Sequence, residues 1–462
     1  MAVDRWGNPL TTVGQEAADR FSDAVLAYLE FRRDTGDKLK ALFAADGDMP
    51  LAHILRGYFF KLFAVPGLEE RARKAVADSE ARIAKQGATE RERGHVAALA
   101  AWAAGDYART IACWDQILVD HPHDMLALRL GHFTQFYMGQ SARVRDSIAR
   151  VLPYWAGDDP DLPFLHGMYA FGLEECGDYT AAERFGRLAV ARHPDDTWSV
   201  HAVAHVLEMT GRVREGLSFL DGLERHWSAC NNFAYHMWWH RCLYHYELGQ
   251  YEACLELYDT RVRADKSDEY LDITNAVALL WRLEDRGVAV GDRWVELTTR
   301  CETRARDHLM AFPDMHYVMA LVAGGKFEAA SAMVGAMATL PDDEAHYEQR
   351  ALRHVGKPLA EAIIAYRRGD FASVIDRMLP IRYGLQPIGG SHAQRDVWVL
   401  MLIEAAIRGK RNPLARALLA ERLAQRPTSA TTWANYADVL EALGDSKQAG
   451  AARTKTAELR TA

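Results

Sequence analysis

Four histidines in two short segments carry the densest chemistry in the sequence. His201 and His205 stand four residues apart in VHAVAHVLEMTGR, with Glu208 three further on. His236 and His240 are likewise four apart in FAYHMWWHRCLYHYELGQ, with Trp239 between them. On a helix, residues at i and i+4 share a face: His205 lies about 40° from His201, and Glu208 about 20°. Such a pair can chelate one divalent ion such as Zn²⁺, and a second pair or Glu208 can complete the shell. His201, His205, His236 and His240 are therefore the candidate metal ligands. The HAVAH run is no zincin motif, because Ala202 stands where the general base would. Without a metal, His201, His205, His240 and Glu208 are candidates for acid–base catalysis, since imidazole titrates near neutral pH. The remaining alternative is that these side chains hydrogen-bond a peptide or small ligand, or stack on Trp238, Trp239 and Tyr235.

What these residues can do depends on the elements that hold them. A Gly followed by an aromatic or aliphatic residue and then Ala-rich amphipathic sequence recurs at Gly105, Gly177, Gly211, Gly249, Gly325 and Gly369. Gly139, Gly287, Gly409 and Gly444 fill the gaps, so successive marks are 34 to 44 residues apart. That is the period of a helical hairpin, with Gly ending the first helix in a conformation other residues resist. Pro122 and Pro194 each follow their turn Gly by 17 residues and close the second helix. The pattern resembles the tetratricopeptide repeat. The segments AFGLEECGDY, VHAVAHVLEMTGR, HMWWHRCLYHYELGQYEACLELYD, AVALLWRLEDRG and GGSHAQRDVWVLMLIEAA, in that order, resemble the tetratricopeptide repeat protein 38 family over nearly the whole chain. This resemblance implies an architecture and brings no activity with it. The expected fold is an all-α solenoid of tetratricopeptide-like hairpins curled into a superhelix. Residues 1–88 are expected to form helices packed on the array, 89–455 the array itself, and 456–462 a tail. The long interval from Gly325 to Gly369 is expected to hold an extra turn around Pro341 to Pro358.

Register assigns the faces. With the turn Gly as position 15, positions 2, 5, 9 and 12 resemble those lining the concave surface of such arrays. His201, His205 and Glu208 fall at 5, 9 and 12, and His236, Trp239 and His240 at 2, 5 and 6 of the next repeat. First helices of neighbouring repeats pack about 8–10 Å apart, close enough for the two histidine pairs to meet. His316 falls at position 6 and could join them, and Phe171, Glu174 and Glu175, one repeat earlier, could form a wall or add a carboxylate. His95 falls at position 5, several repeats away, as an isolated polar residue. His245, about 140° round the helix from His240, should pack structurally against its partner helix.

GGSHAQRD, residues 389–396, contains a capping box of Ser391 and Gln394. His392, Arg395 and Asp396 then sit in the first helical turn, either as an internal Arg395–Asp396 network or as a contact for a carboxylate or phosphate.

Composition sets the outer limits. A net charge of −8 and a pI near 6.1 argue against a nucleic-acid partner, because phosphate binding needs concentrated Lys and Arg. Phosphate-loop, dinucleotide-binding and nucleophile-elbow motifs are absent, so no nucleotide cofactor is expected. Six scattered cysteines without a C-x-x-C pair fit a reducing compartment. No signal segment or apolar run of spanning length is present, and a cytoplasmic protein without a membrane partner is expected. The function expected first is a solenoid binding a peptide or small molecule in a His/Trp-rich concave pocket through His201, His205, Glu208, His236, Trp239, His240, His316, His392, Arg395 and Asp396. The alternative is a metal-dependent or His/Glu acid–base hydrolase or lyase using the same cluster.

Overall fold

The glycines that punctuate the sequence are helix stops. Gly105, Gly139, Gly177, Gly211, Gly249, Gly287, Gly325, Gly369 and Gly444 have φ between 65° and 85°, the left-handed region that reverses the chain after a helix. Gly409 departs from this expectation: its φ is −74°, and Lys410, at φ 55°, takes the left-handed position one residue later. The computed structural model describes residues 2–343 and 345–461.

Each stop joins the two helices of an antiparallel pair. The array begins with Glu90–Ala103 and Tyr107–Asp120, Met125–Tyr137 and Ser141–Val151, Leu162–Glu175 and Tyr179–Arg192, and Thr197–Met209 and Val213–Trp227. It continues with Phe233–Glu247 and Tyr251–Leu257, Tyr270–Asp285 and Arg293–Arg304, and Ala311–Ala323 and Phe327–Met337. Lys357–Arg367 and Phe371–Met378, His392–Arg408 and Asn412–Gln425, and Ala430–Ala442 and Ser446–Thr461 complete it. Four helices precede the array, Gln15–Leu29, Thr35–Ala45, Pro50–Leu62 and Pro66–Gln86, behind a ribbon pairing Ala2–Val3 with Pro9–Leu10. Two-residue strands are too short to show alternation in sequence. The long interval after Gly325 holds a loop, the Tyr347–Ala351 helix and a π turn at Leu352–Gly356 that runs directly into Lys357–Arg367. The last helix runs unbroken from Ser446 to Thr461. No described helix is long and apolar enough to cross a membrane.

The coil winds tightly enough for distant turns to touch. Phe31 stacks on Phe233 at 4.4 Å, Tyr270 donates to the Tyr137 hydroxyl at 2.7 Å, and Tyr347 donates to the Met138 carbonyl at 2.6 Å. Nearer the C-terminus, the His392 amide donates to Glu175 at 2.9 Å and Thr428 to the Thr210 carbonyl at 3.2 Å. The inner face of the superhelix is thus covered by other turns of the same chain. His201, His205, His236 and His240 are all buried there.

Candidate metal centre

Two helices bring the imidazoles together. Asp196 caps Thr197–Met209 by accepting from the Trp198 amide at 3.1 Å, and the Asn231 side chain accepts from the Phe233 amide at 3.0 Å at the start of Phe233–Glu247. Their relative register is pinned by Tyr244, whose hydroxyl donates to the Ala204 carbonyl at 2.7 Å. The Tyr244 ring fits because residue 216 is Gly, where a Cβ would lie 2.4 Å from it.

In that register the four Nε2 atoms turn inward. His201 Nε2 lies 3.0 Å from His205 Nε2 and 3.1 Å from His236 Nε2, and His236 and His240 approach to 3.2 Å. One ring nitrogen from each of the four lies within 4.8 Å of the others. Zn–N bonds of about 2.0–2.1 Å place ligand nitrogens about 3.3 Å apart in a tetrahedron and about 2.9 Å apart along a square. The three closest separations, 3.0–3.2 Å, fall between those two values.

Two of the four outward Nδ1 atoms, those of His236 and His240, have the acceptors of metal-bound imidazoles, while those of His201 and His205 are buried without a hydrogen-bond partner. His236 Nδ1 donates to Asn275 Oδ1 at 3.0 Å, and His240 Nδ1 donates to Glu208 Oε2 at 3.2 Å. His205 Nδ1 faces Glu174 Oε2 at 3.8 Å. Acceptors of this kind fix the tautomer that frees Nε2 for a metal. With His236 and His240 so fixed, their Nε2 lone pairs confront each other, an arrangement that calls for a cation between them. Burial holds His201, His205 and His236 far below the usual imidazole range, and the neighbouring histidines depress them further.

Aromatic rings close the shell. Phe171 stacks on His201 at 5.5 Å and Trp239 on His236 at 5.3 Å, and Trp198 and Phe233 flank His201. Trp238 packs instead on Trp227, and Tyr235 bonds Asp265 outside the cluster. Glu174 is fully buried, with neither carboxylate oxygen hydrogen-bonded. Burial and then the nearby Glu175 and Glu208 push its carboxyl well above the usual range.

Other expected members lie elsewhere. His316 is buried but donates to the Phe312 carbonyl and packs on Trp398, outside the cluster. His392 bonds the Glu175 carbonyl at 3.0 Å. Ser391 and Gln394 form the expected capping box. An Arg395–Asp396 network does not form: Arg395 bonds the Gly390 carbonyl and reaches Glu175 at 3.4 Å, while Asp396 is gripped by both terminal nitrogens of Arg422, at 2.5 and 2.9 Å. The reason is helical direction, since Asp396 and Arg395 leave the helix about 100° apart and meet different neighbours. His95 is no isolated residue, because its Nε2 bonds Asp124 at 2.9 Å within a buried cluster that includes Arg91 and Tyr58. His245 is half-buried and bonds Gln250 across its own turn at 2.7 Å. Asn275 escaped the sequence reading; its signal is a lone amide inside the apolar run of Tyr270–Asp285.

No protein-family model matches the chain. Among solved structures, human IFIT1 as a dimer with PPP-AAAA aligns at 13% identity over 98% of this chain and 96% of that one, with a TM-score of 0.42. The Cut9–Hcn1 assembly of the APC/C aligns at 12% identity over 97% and 94%, with a TM-score of 0.32. Naa15/Naa10 bound to HypK-THB aligns at 10% over 95% and 68%, with a TM-score of 0.26. Identities this low bear on fold type alone. IFIT1 is also solved with m7Gppp-AAAA, so the expectation that excluded nucleic acid and nucleotide-type ligands on charge and motif grounds is withdrawn. Net charge is a sum over the whole surface, whereas recognition is local. The hairpins, their left-handed glycine stops and their superhelical packing make the chain an all-α solenoid of the tetratricopeptide-repeat type.

Proposed function

We propose that this chain is a metal-binding solenoid of the tetratricopeptide repeat protein 38 family, in which His201, His205, His236 and His240 hold one divalent transition-metal ion of the zinc, copper or nickel class. The carrying observation is the convergence of four Nε2 atoms, linked in a chain of 3.0–3.2 Å approaches, with Nδ1 acceptors behind His236 and His240. Four protein ligands inside a closed aromatic shell match the four-coordinate arrangement of a closed site. The fold does not rest on the ion alone, because Tyr244 and the aromatic shell already join the two helices. Use of the centre in catalysis is a second reading, favoured by Glu174, a buried carboxyl beside His205 with no hydrogen-bond partner. Cytoplasmic residence belongs to the same reading and is supported by six unpaired cysteines.

Elemental analysis of protein purified without chelators should find close to one metal ion per chain, and Co²⁺ added to stripped protein should give visible absorption. A His205→Leu/His240→Leu variant should keep its helical circular dichroism and lose both signals. Metal-free protein that also fails to take up Co²⁺, or a double variant that binds as well as the parent, would overturn the proposal.

A further inference from the structure

Glu208, which braces His240, also forms one wall of a polar cavity of about 40 Å³. Four guanidinium groups line it, those of Arg282, Arg286, Arg422 and Arg426. Three carboxylates face them: Glu208, Glu247 and Asp396. Only Arg422 is matched, by its two-pronged contact with Asp396. Arg282 donates to the Ala278 and Ala393 carbonyls, and Arg286 donates to the Tyr246 hydroxyl and Asn435. Arg426 meets the Met209 sulfur at 2.9 Å, with Glu208 no nearer than 4.0 Å. Among the described residues, then, three buried or half-buried arginines have no carboxylate at hydrogen-bonding distance. The cavity carries one positive charge in excess, and buried charge without a partner is costly. The N-terminus of Ala430–Ala442 borders the same space, its Thr431 and Thr432 amides already donating to Glu247 and Ser429.

We propose that this cavity binds the carboxylate of a small organic acid. One negative charge balances the excess, the guanidinium fork matches a planar carboxylate, and the space exceeds the roughly 10–15 Å³ that one water requires. The assignment stands on the arginines alone. Only its link to the histidine centre, through Glu208 behind His240 Nδ1, rests on the metal reading.

Acetate is the probe, titrated by calorimetry against metal-loaded and metal-stripped protein at constant ionic strength, with chloride and inorganic phosphate as competitors. Acetate should bind both forms, with chloride and phosphate at least tenfold weaker, and Arg426→Met should weaken acetate at least tenfold. Arg426→Lys keeps the charge and loses the fork, and should weaken acetate by less; it also serves if the Met variant fails to fold. Equal binding of chloride, tighter binding of phosphate, or unchanged acetate affinity in both variants would overturn the assignment. Acetate binding that disappears on stripping the metal would place the anion on the ion and also overturn it. A protein without metal that still binds acetate through Arg426 would leave this site standing and remove only the metal reading.

Discussion

Replacing Asn275 by Leu separates a metal centre from a histidine-rich core. Asn275 touches no ion; its Oδ1 accepts from His236 Nδ1 at 3.0 Å and so orients the ring. Loss of such a supporting acceptor lowers metal affinity about 10–100-fold, or about 1.4–2.7 kcal/mol. The metal-free fold should lose little, under about 1 kcal/mol: Leu is close in size, and the substitution removes a buried amide Nδ2 that has no partner, offsetting the lost hydrogen bond. Zn²⁺ affinity is read by competition with a chelating dye for the parent, Asn275→Leu and His236→Leu, alongside urea unfolding of the stripped proteins. The expected order is parent tightest, Asn275→Leu weaker by one to two orders of magnitude, and His236→Leu weakest. Stabilisation by a fixed excess of Zn²⁺ should shrink by the same 1.4–2.7 kcal/mol, about what mass action requires. Parental affinity in Asn275→Leu, or a stability loss in the stripped variant as large as its loss of binding, would refute the idea that Asn275 serves a metal ligand.

Two further outcomes test other parts of the structure. Burial lifts the Glu348 carboxyl to about 8 from 4.5; between those values the native state holds a proton the unfolded chain has released, so stability falls as pH rises, by up to about 1.4 kcal/mol per pH unit. Glu348→Gln should therefore gain on the parent progressively from about pH 4.5 to 8 in urea titrations, and a constant difference across that range would contradict the assignment. Gly177→Ala, with φ 83° and nothing within 4 Å of the new Cβ, should cost about 1–2 kcal/mol. Gly139→Ala should cost clearly more, because its Cβ would lie 2.0 Å from the Gln386 carbonyl oxygen; equal losses in thermal unfolding would mean that these turns of the coil are not packed together.

Local physics made the hairpins and the histidines legible. Turn glycines declare themselves by period, and counting back from Gly211 and Gly249 places His201, His205, His236 and His240 on facing surfaces, where the structure has them. The count says which way a side chain leaves its helix, and nothing about what lies beyond. Asp396 stands beside Arg395 in sequence, and sequence leaves open a bond between them or a contact for an anion, but it binds Arg422 from the following helix. His316 leaves its helix at the same repeat position as His240, yet is turned aside by the Phe312 carbonyl and Trp398. Arg282 and Arg426 share a cavity although 144 residues separate them in sequence. Such meetings depend on superhelical pitch, a sum of small rotations between hairpins that interval lengths do not encode.

The contacts between distant turns change how this solenoid should come apart. An open ladder of repeats can lose end rungs one at a time, since each leans only on its neighbours. Here the start of the chain rests against the middle, Phe31 on Phe233, and the end rests against the middle too, Thr428 on Thr210. Removing either end uncovers the interior of the other turns, so the molecule is built to melt as one cooperative body.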